Sequence, residues 1–578
     1  MRATCLSLLL LASFSSFATG QATPAGCWAG TVAGVPAPRR AILQLVPGNG
    51  TYSARLIMLV RSVEIDSVAD LVVRGDSLSF RAPGMSGAPS FSGRFTGDTL
   101  AGLMQTTGPR PATAFSFARV RDLSPPTRLA GHWFGWLTQG DAGVMRLGLS
   151  ILPAPCGQLL VTMDSPDQGS NTMPVTSLAT AGDSLFFEMS YIRGAFRGGL
   201  VGDSLVGPWT QNGATLSLRL GRRDSAVTST RRPQEPVPPF PYTEENVSYA
   251  NSADGTRLAG TLTMPPGSGP FPAVLLVTGS GAQDRNEAIM GHKPFMVIAD
   301  YLTRRDIAVL RVDDRGVGGS GGNTLTATIS DNAGDALAGV EFLRHHAKVD
   351  SARVGLIGHS EGGWVAPLAA TRSSHIAYIV LLAGPAVTGE QIRYAQDSVL
   401  ALASGASAAM VSANHKISLA MHQALKAQPN DSLAVTAMLG AADEAYHHLT
   451  PAEKAAVDTS QLMADSAGLR QRLQILTTPW YRYLLVYDPV PSLRALQVPL
   501  LALFGERDLQ VPPKQSVPAM ELATAGRRNV TIRVFPGLNH LFQHARTGLV
   551  AEYARIDETI SPEVLKVIGD WILALSRN

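Results

Sequence analysis

Cysteine is scarce in this chain: only Cys5, Cys27 and Cys156 occur among 578 residues. Three thiols so far apart build no cysteine-based metal cluster, and no metal site is expected. If Cys5 is lost with a leader, Cys27 and Cys156 are left as either one disulfide or two buried thiols, and the sequence leaves both open. An excess of either charge is also missing. With 48 Lys and Arg against 45 Asp and Glu, the formal net charge is +3, and no block of like charge stands out. That excludes the electrostatic footprint of a nucleic-acid partner. Beyond the N-terminus no run approaches the roughly 18 consecutive apolar residues of a membrane span. Stable membrane insertion is therefore not expected, and the mature protein should be soluble.

What is present begins with a targeting pattern. Arg2 supplies a positive start, Leu6 to Phe17 an apolar stretch, and Ala18-Thr19-Gly20 before Gln21 a small-x-small cleavage site. Residues 1–20 read as a signal peptide, which predicts an exported, periplasmic or extracellular protein. The remaining length exceeds one compact core, so several folding units are expected.

The first third repeats itself. Trp28-Ala29-Gly30 recurs as Trp133-Phe134-Gly135, Gly75-Asp76-Ser77-Leu78 as Gly182-Asp183-Ser184-Leu185, and Gly97-Asp98-Thr99-Leu100 as Gly202-Asp203-Ser204-Leu205. Between these anchors lie short alternating runs broken by Gly and Asp, a pattern of antiparallel strands joined by tight hairpins. Two β-repeats are predicted, over 21–125 and 126–225. They form either two small β-units or halves of one barrel, and serve as a structural accessory or as a ligand-binding or envelope-binding module. Pro233 and the run Pro236-Val237-Pro238-Pro239-Phe240-Pro241 mark a stiff linker over 226–241.

From residue 242 the pattern becomes α/β. Apolar runs at 273–277, 307–312, 354–357, 376–382, 500–504 and 530–534 read as strands of a mostly parallel, doubly wound sheet covered on both faces. An insertion over about 387–489, rich in Ala, Leu, Gln and Lys at helical spacing, reads as a helical cap.

Two segments match G-x-S-x-G. In a chain with 56 glycines the pattern alone is weak, so context decides. Ser320, within Gly318-Gly319-Ser320-Gly321-Gly322, has no strand directly before it and no helix directly after. Ser360, within Gly358-His359-Ser360-Glu361-Gly362, follows the apolar strand Val354 to Ile357 and precedes a helical start at Gly363-Trp364-Val365-Ala366. Strand, sharp turn and helix make a nucleophile elbow, with Gly358 and Gly362 letting the backbone pass closely. A serine nucleophile needs a base and the base an orienting carboxylate. His540, after Phe535-Pro536-Gly537-Leu538-Asn539, is the expected base, with His544 as rival. Asp508, after Leu500 to Phe504, is the expected carboxylate, with Glu506 as rival. The oxyanion donors are expected from the Glu361 N–H and from Ser280 or, second, Gly281 in Gly279-Ser280-Gly281. His359 is assigned to packing or pocket lining, and Asp313, Asp314 and Arg315 to structural ion pairs.

At these residues residues 242–578 resemble the α/β-hydrolase superfamily and, within it, exported bacterial esterases of the serine aminopeptidase-like group. The stretches carrying the likeness are Thr278 to Arg285, Asp314-Arg315-Gly316-Val317-Gly318, the elbow, Leu381-Leu382-Ala383-Gly384-Pro385, Asp508 and His540. The N-terminal repeats, notably Met163 to Gly169, also resemble β-repeats that precede the hydrolase in some such esterases. The resemblance implies a carboxylesterase acting without cofactor on a small-molecule ester. It departs from the family at Thr278, where His commonly precedes the oxyanion glycine. Peptide or amide hydrolysis by the same triad and a non-catalytic envelope-binding role on a hydrolase scaffold are the alternatives. Oligomeric state is open.

Overall fold

The computed structural model describes residues 24–575 except 34–38, 49–50, 60–62, 86–87, 107–111, 122–127, 140–141, 167–169, 212–213, 225–231 and 458–472. The proposed signal segment, the start of the linker and Asp167-Gln168-Gly169 lie outside the described residues. The chain divides into two compact units near Thr228/Ser229. No described helix is both long and apolar enough to cross a membrane.

The N-terminal unit holds two nine-stranded antiparallel sheets with the same strand order. In each, strands one to four and strands five to nine pair as meanders, the fourth and fifth form the two edges, and the first strand pairs with the ninth: Gly26–Val32 with Thr113–Val120, and Gly131–Gln139 with Ala214–Arg223. The repeats are thus two separate barrel-like sheets, not halves of one. The four Gly-Asp steps are two-residue hairpin turns, and their glycines share one left-handed conformation, with φ of 56° at Gly75 and Gly182, 59° at Gly97 and 60° at Gly202. A side chain there would be strained, hence glycine. Each core is centred on a buried tryptophan roofed by an arginine: Arg119 lies 4.3 Å from the Trp28 ring centroid and Arg222 lies 4.2 Å from that of Trp133. Cys27 is disulfide-bonded.

The C-terminal unit is built on an eight-stranded sheet. Its strands are β1 (Thr243–Ala250), β2 (Arg257–Met264), β3 (Phe271–Val277), β4 (Ala308–Val312), β5 (Val349–His359), β6 (Tyr378–Leu382), β7 (Leu500–Gly505) and β8 (Val530–Phe535). Their order is β1-β2-β4-β3-β5-β6-β7-β8; pairs from β4 onward are parallel, and β1 and β2 run antiparallel at one edge. The centre is dry: every residue of β6 and β7 is buried. Sheet and helices share one core that runs from Val247 to Ile572. This is the doubly wound α/β architecture, with helices inserted between β6 and β7 at Gly389–Ala403, Ala408–Ala427, Asp431–His447, Pro451–Ala456 and Pro479–Val486.

The proline-rich stretch is docked on this unit. Arg232, 6% exposed, donates to the carbonyls of Met290 and Ala554. Gln234 bonds Thr559 and Ile560, and Glu235 pairs with Lys293 at 2.9 Å. Ligand-facing residues of such a sheet gather beyond the carboxyl ends of the strands, where β3, β5, β7 and β8 each deliver one loop to a common place.

Candidate active site

The turn after β5 is forced by packing. Ser360 has φ of 53°, a left-handed conformation that costs a non-glycine residue about 1–2 kcal/mol and is held by its surroundings. The Ser360 N–H donates to the Leu382 carbonyl at 2.9 Å and the Gly363 N–H to the Ser360 carbonyl at 2.8 Å. A Cβ on Gly358 would lie 2.1 Å from the Gly362 carbonyl oxygen, and one on Gly362 would lie 2.4 Å from that of Val277. No larger residue fits at either place, and the chain turns directly into the helix Gly362–Arg372.

Beyond β7, Asp508 is buried, 2% exposed. Its Oδ1 accepts the N–H groups of Gln510 and Val511, both at 2.8 Å, and its Oδ2 lies 2.8 Å from His540 Nδ1. A carboxylate in that position fixes the Nδ1–H tautomer and leaves Nε2 as a base. The loop after β8 is shaped by Asn539, whose Oδ1 accepts from the Leu541 and Gln543 N–H groups and whose Nδ2 donates to Gln543. His540 and Asp508 are therefore a buried, directly bonded pair.

The rivals lie elsewhere. Glu506 is exposed and accepts the Gly537 N–H; His544 faces solvent and pairs with Glu558. Ser320 is a structural serine, donating to the Asp313 carbonyl at 2.7 Å and accepting from the Ala259 N–H at 2.9 Å. By contrast the Ser360 hydroxyl, among the described residues, has no hydrogen-bond partner. Catalytic hydrogen bonds often tighten only once substrate is bound.

The loop after β3 lies against the elbow, since a Cβ on Gly279 would sit 3.2 Å from Ser360 Cβ. The Gly279 N–H is taken by Glu287 Oε1 at 2.7 Å. Among the described residues the N–H groups of Ser280, Gly281 and Glu361 have no acceptor, which leaves them available to a developing oxyanion. On this side of the elbow opens a cavity of about 500 Å³, whose walls include Gly281, Leu325, Glu361, Val365 and Trp480. Its lining includes Glu361, the residue after Ser360, and Thr278, Gly279 and Gly281 of the loop after β3. Trp480, from the inserted helices, places its indole N–H 3.3 Å from both oxygens of Glu361.

Charges around the cavity divide into two kinds. Asp313 is paired with Arg285 at 2.6 Å, and Arg315 with Asp254 and Asp335 at 2.6 and 2.5 Å, as structural ion pairs. Asp314 departs from that expectation: it takes a hydrogen bond from the Thr278 hydroxyl at 2.6 Å and one from the Gln283 N–H at 3.0 Å, with no cation paired to it among the described residues. Burial pushes its carboxyl up to about 7, and burial does the same to Glu361.

Sequence reasoning missed two contributors. Glu287, 3% exposed with φ of 50°, carries no motif of its own. His359 is not mere packing: its Nδ1 lies 2.8 Å from Glu287 Oε1 and its Nε2 3.2 Å from the His540 carbonyl oxygen.

With this geometry the C-terminal unit has the α/β-hydrolase fold, and residues 293–545 match the family described as serine aminopeptidase, S33. Among curated proteins the chain is similar to esterase EstD of Thermotoga maritima, at 33% identity over 292 residues; the match covers 49% of this chain and 58% of that protein. Among solved structures it is similar to the Pyrococcus furiosus esterase Pf2001 (15% identity, 58% of this chain, 91% of that one, TM-score 0.34) and to the proline iminopeptidase of Mycobacterium smegmatis (16%, 57%, 98%, TM-score 0.35).

Proposed function

We propose that this protein is a serine carboxylesterase that works through an acyl-Ser360 intermediate. The observation that carries this reading is the buried Asp508–His540 pair, bonded at 2.8 Å, on a loop that meets His359, the residue preceding Ser360 in its strained elbow. Ser360 Oγ attacks the ester carbonyl while His540 Nε2 takes its proton. Asp508 holds the imidazole and stabilises its charged form. The tetrahedral oxyanion is met by the Glu361 N–H and by that of Ser280 or Gly281, each donor worth about 3 kcal/mol of barrier. His540 returns the proton to the leaving alcohol, and water then repeats the sequence on the acyl-enzyme.

A second reading, hydrolysis of aminoacyl amides by the same residues, draws on the family description and on Asp314 and Glu361 at the cavity wall. With both carboxyls raised to about 7 by burial, each is only about half ionised at neutral pH, a weaker counter-charge for a substrate ammonium than an ordinary carboxylate. A panel of p-nitrophenyl acetate, p-nitrophenyl butyrate and aminoacyl-anilides tests this. Esters should turn over faster; anilides turning over faster would transfer the assignment to an aminopeptidase. A fluorophosphonate probe should label Ser360 in the folded protein, and failure to label would point to a non-catalytic binding role. Export with cleavage after Gly20 belongs to the same proposal, checked by the N-terminal sequence of the secreted protein.

A further inference from the structure

A second carboxylate–imidazole pair crosses the site, and the mechanism above does not use it. Glu287 and His359 are both buried, at 3% and 6% exposure, and join at 2.8 Å. Each also holds one wall of the reaction space. Glu287 Oε1 accepts the Gly279 N–H at 2.7 Å, at the root of the oxyanion loop. His359 Nε2 lies 3.2 Å from the carbonyl oxygen of His540, and the two imidazole rings have centroids 4.8 Å apart. His359 itself immediately precedes the nucleophile. One continuous chain of bonds therefore links the loop that would receive the oxyanion, the elbow and the loop that carries the base.

The donors fix the chemistry of the link. A carbonyl oxygen only accepts, so His359 Nε2 carries a hydrogen; a carboxylate only accepts, so Nδ1 carries one too. This arrangement favours the imidazolium form of His359. Burial opposes that charge, but the Glu287 carboxylate and its hydrogen bond outweigh it and move the group upward from its ordinary value. Among the described residues Glu287 Oε2 is buried without a partner, and the Glu287 backbone sits in the left-handed region. Both are costs a packing role does not require, and strain of this kind clusters where geometry is held for function. With its own N–H engaged, Gly279 leaves those of Ser280 and Gly281 as the ones free to meet substrate.

We propose that Glu287 and His359 act as positioning residues, holding the oxyanion loop and the His540 loop in register with Ser360. The inference rests on the esterase reading. Misplacement of about 1 Å at a reacting group can cost about 10²-fold in rate, so the effect belongs in kcat.

The test uses the full-length protein, p-nitrophenyl butyrate and fluorophosphonate labelling. Glu287→Ala, which cuts both bonds, should lower kcat by about 10²-fold with KM changed less than about threefold. Glu287→Gln, which can still accept from Gly279 and meet a neutral His359, should recover at least about tenfold of that loss. His359→Gln, too short to span both partners, should lower kcat by about tenfold or more at nearly constant KM. Unchanged kcat in Glu287→Ala or His359→Gln, a loss confined to KM, or a Gln variant no better than Ala overturns the proposal. If Glu287→Ala does not fold, the other two variants decide: Glu287→Gln close to wild type with His359→Gln impaired supports it, and any other pattern rejects it. Wild-type protein inert toward both ester and probe would sink the esterase reading and this inference together, whereas an active wild type with unaffected variants removes the inference alone.

Discussion

The two units spend the same residue types differently. In the N-terminal unit Trp28 and Trp133, their arginine roofs and four turn glycines occur as matched pairs in matched conformations. Among the described residues of the C-terminal unit no such duplicate exists: Ser360, Asp508 and His540, the proposed triad, each follow a different strand. An antiparallel meander closes mostly between neighbours in sequence, so copying the sequence copies the structure. A parallel sheet needs long crossovers between paired strands, and those crossovers bring distant loops to one rim. The comparison teaches why the proposed chemistry is sited in the non-repeating half, and it can be broken or sharpened by substitution.

The largest effect should come from Ser360→Ala, which ought to lower kcat for p-nitrophenyl butyrate by about 10⁶-fold if the three groups act as one unit; retention of a tenth of the activity would end the comparison. Asp508→Asn should keep the fold and lower kcat by about 10⁴-fold, because the amide favours the wrong imidazole tautomer; steady-state rates at several pH values would check it. Trp28→Ala, on the other side, should destabilise the N-terminal unit by about 3–5 kcal/mol while kcat stays within about twofold. A proportionate fall in kcat in folded protein would show that the repeats take part in turnover. The smallest effect is electrostatic. Glu361 is raised by burial to about 7 from 4.5, so between those values the folded state binds more protons than the unfolded one, and stability falls as pH rises. Above about 7 the penalty is constant, on the order of 3 kcal/mol. Glu361→Gln should therefore raise Tm at pH 8 and leave it nearly unchanged at pH 4.5; equal Tm at both would mean that Glu361 ionises without cost.

Much of the α/β unit was legible because buried parallel strands leave unbroken apolar runs, as at Leu500 to Phe504. The strand containing the elbow begins earlier than its apolar run, at Val349, because Asp350, Ser351 and Ala352 are polar or small and face outward at an irregular pairing with β3. The duplicated anchors announced the two β-copies, but whether they close separately depends on which edges meet, and hairpin signals do not specify that. Each member of the Asp508–His540 pair stood in a recognisable strand-end loop. Glu287 did not, since its meaning arises only from a contact with His359 across 72 positions. The lack of a counter-ion at Asp314 was equally invisible, because acid–acid–base spacing along a loop does not say which carboxylate the guanidinium will choose.

In both N-terminal sheets the first and last strands lie side by side in opposite directions, Cys27 opposite Val120 and His132 opposite Arg223. Chain entry and exit of each copy consequently share a doorway. In connectivity, though not in packing, since Ile42 and Ile57 share a cluster with Leu160, such a copy is a cassette: a further one could be spliced in at the doorway without rerouting any strand of the other, so gene duplication here meets little topological resistance.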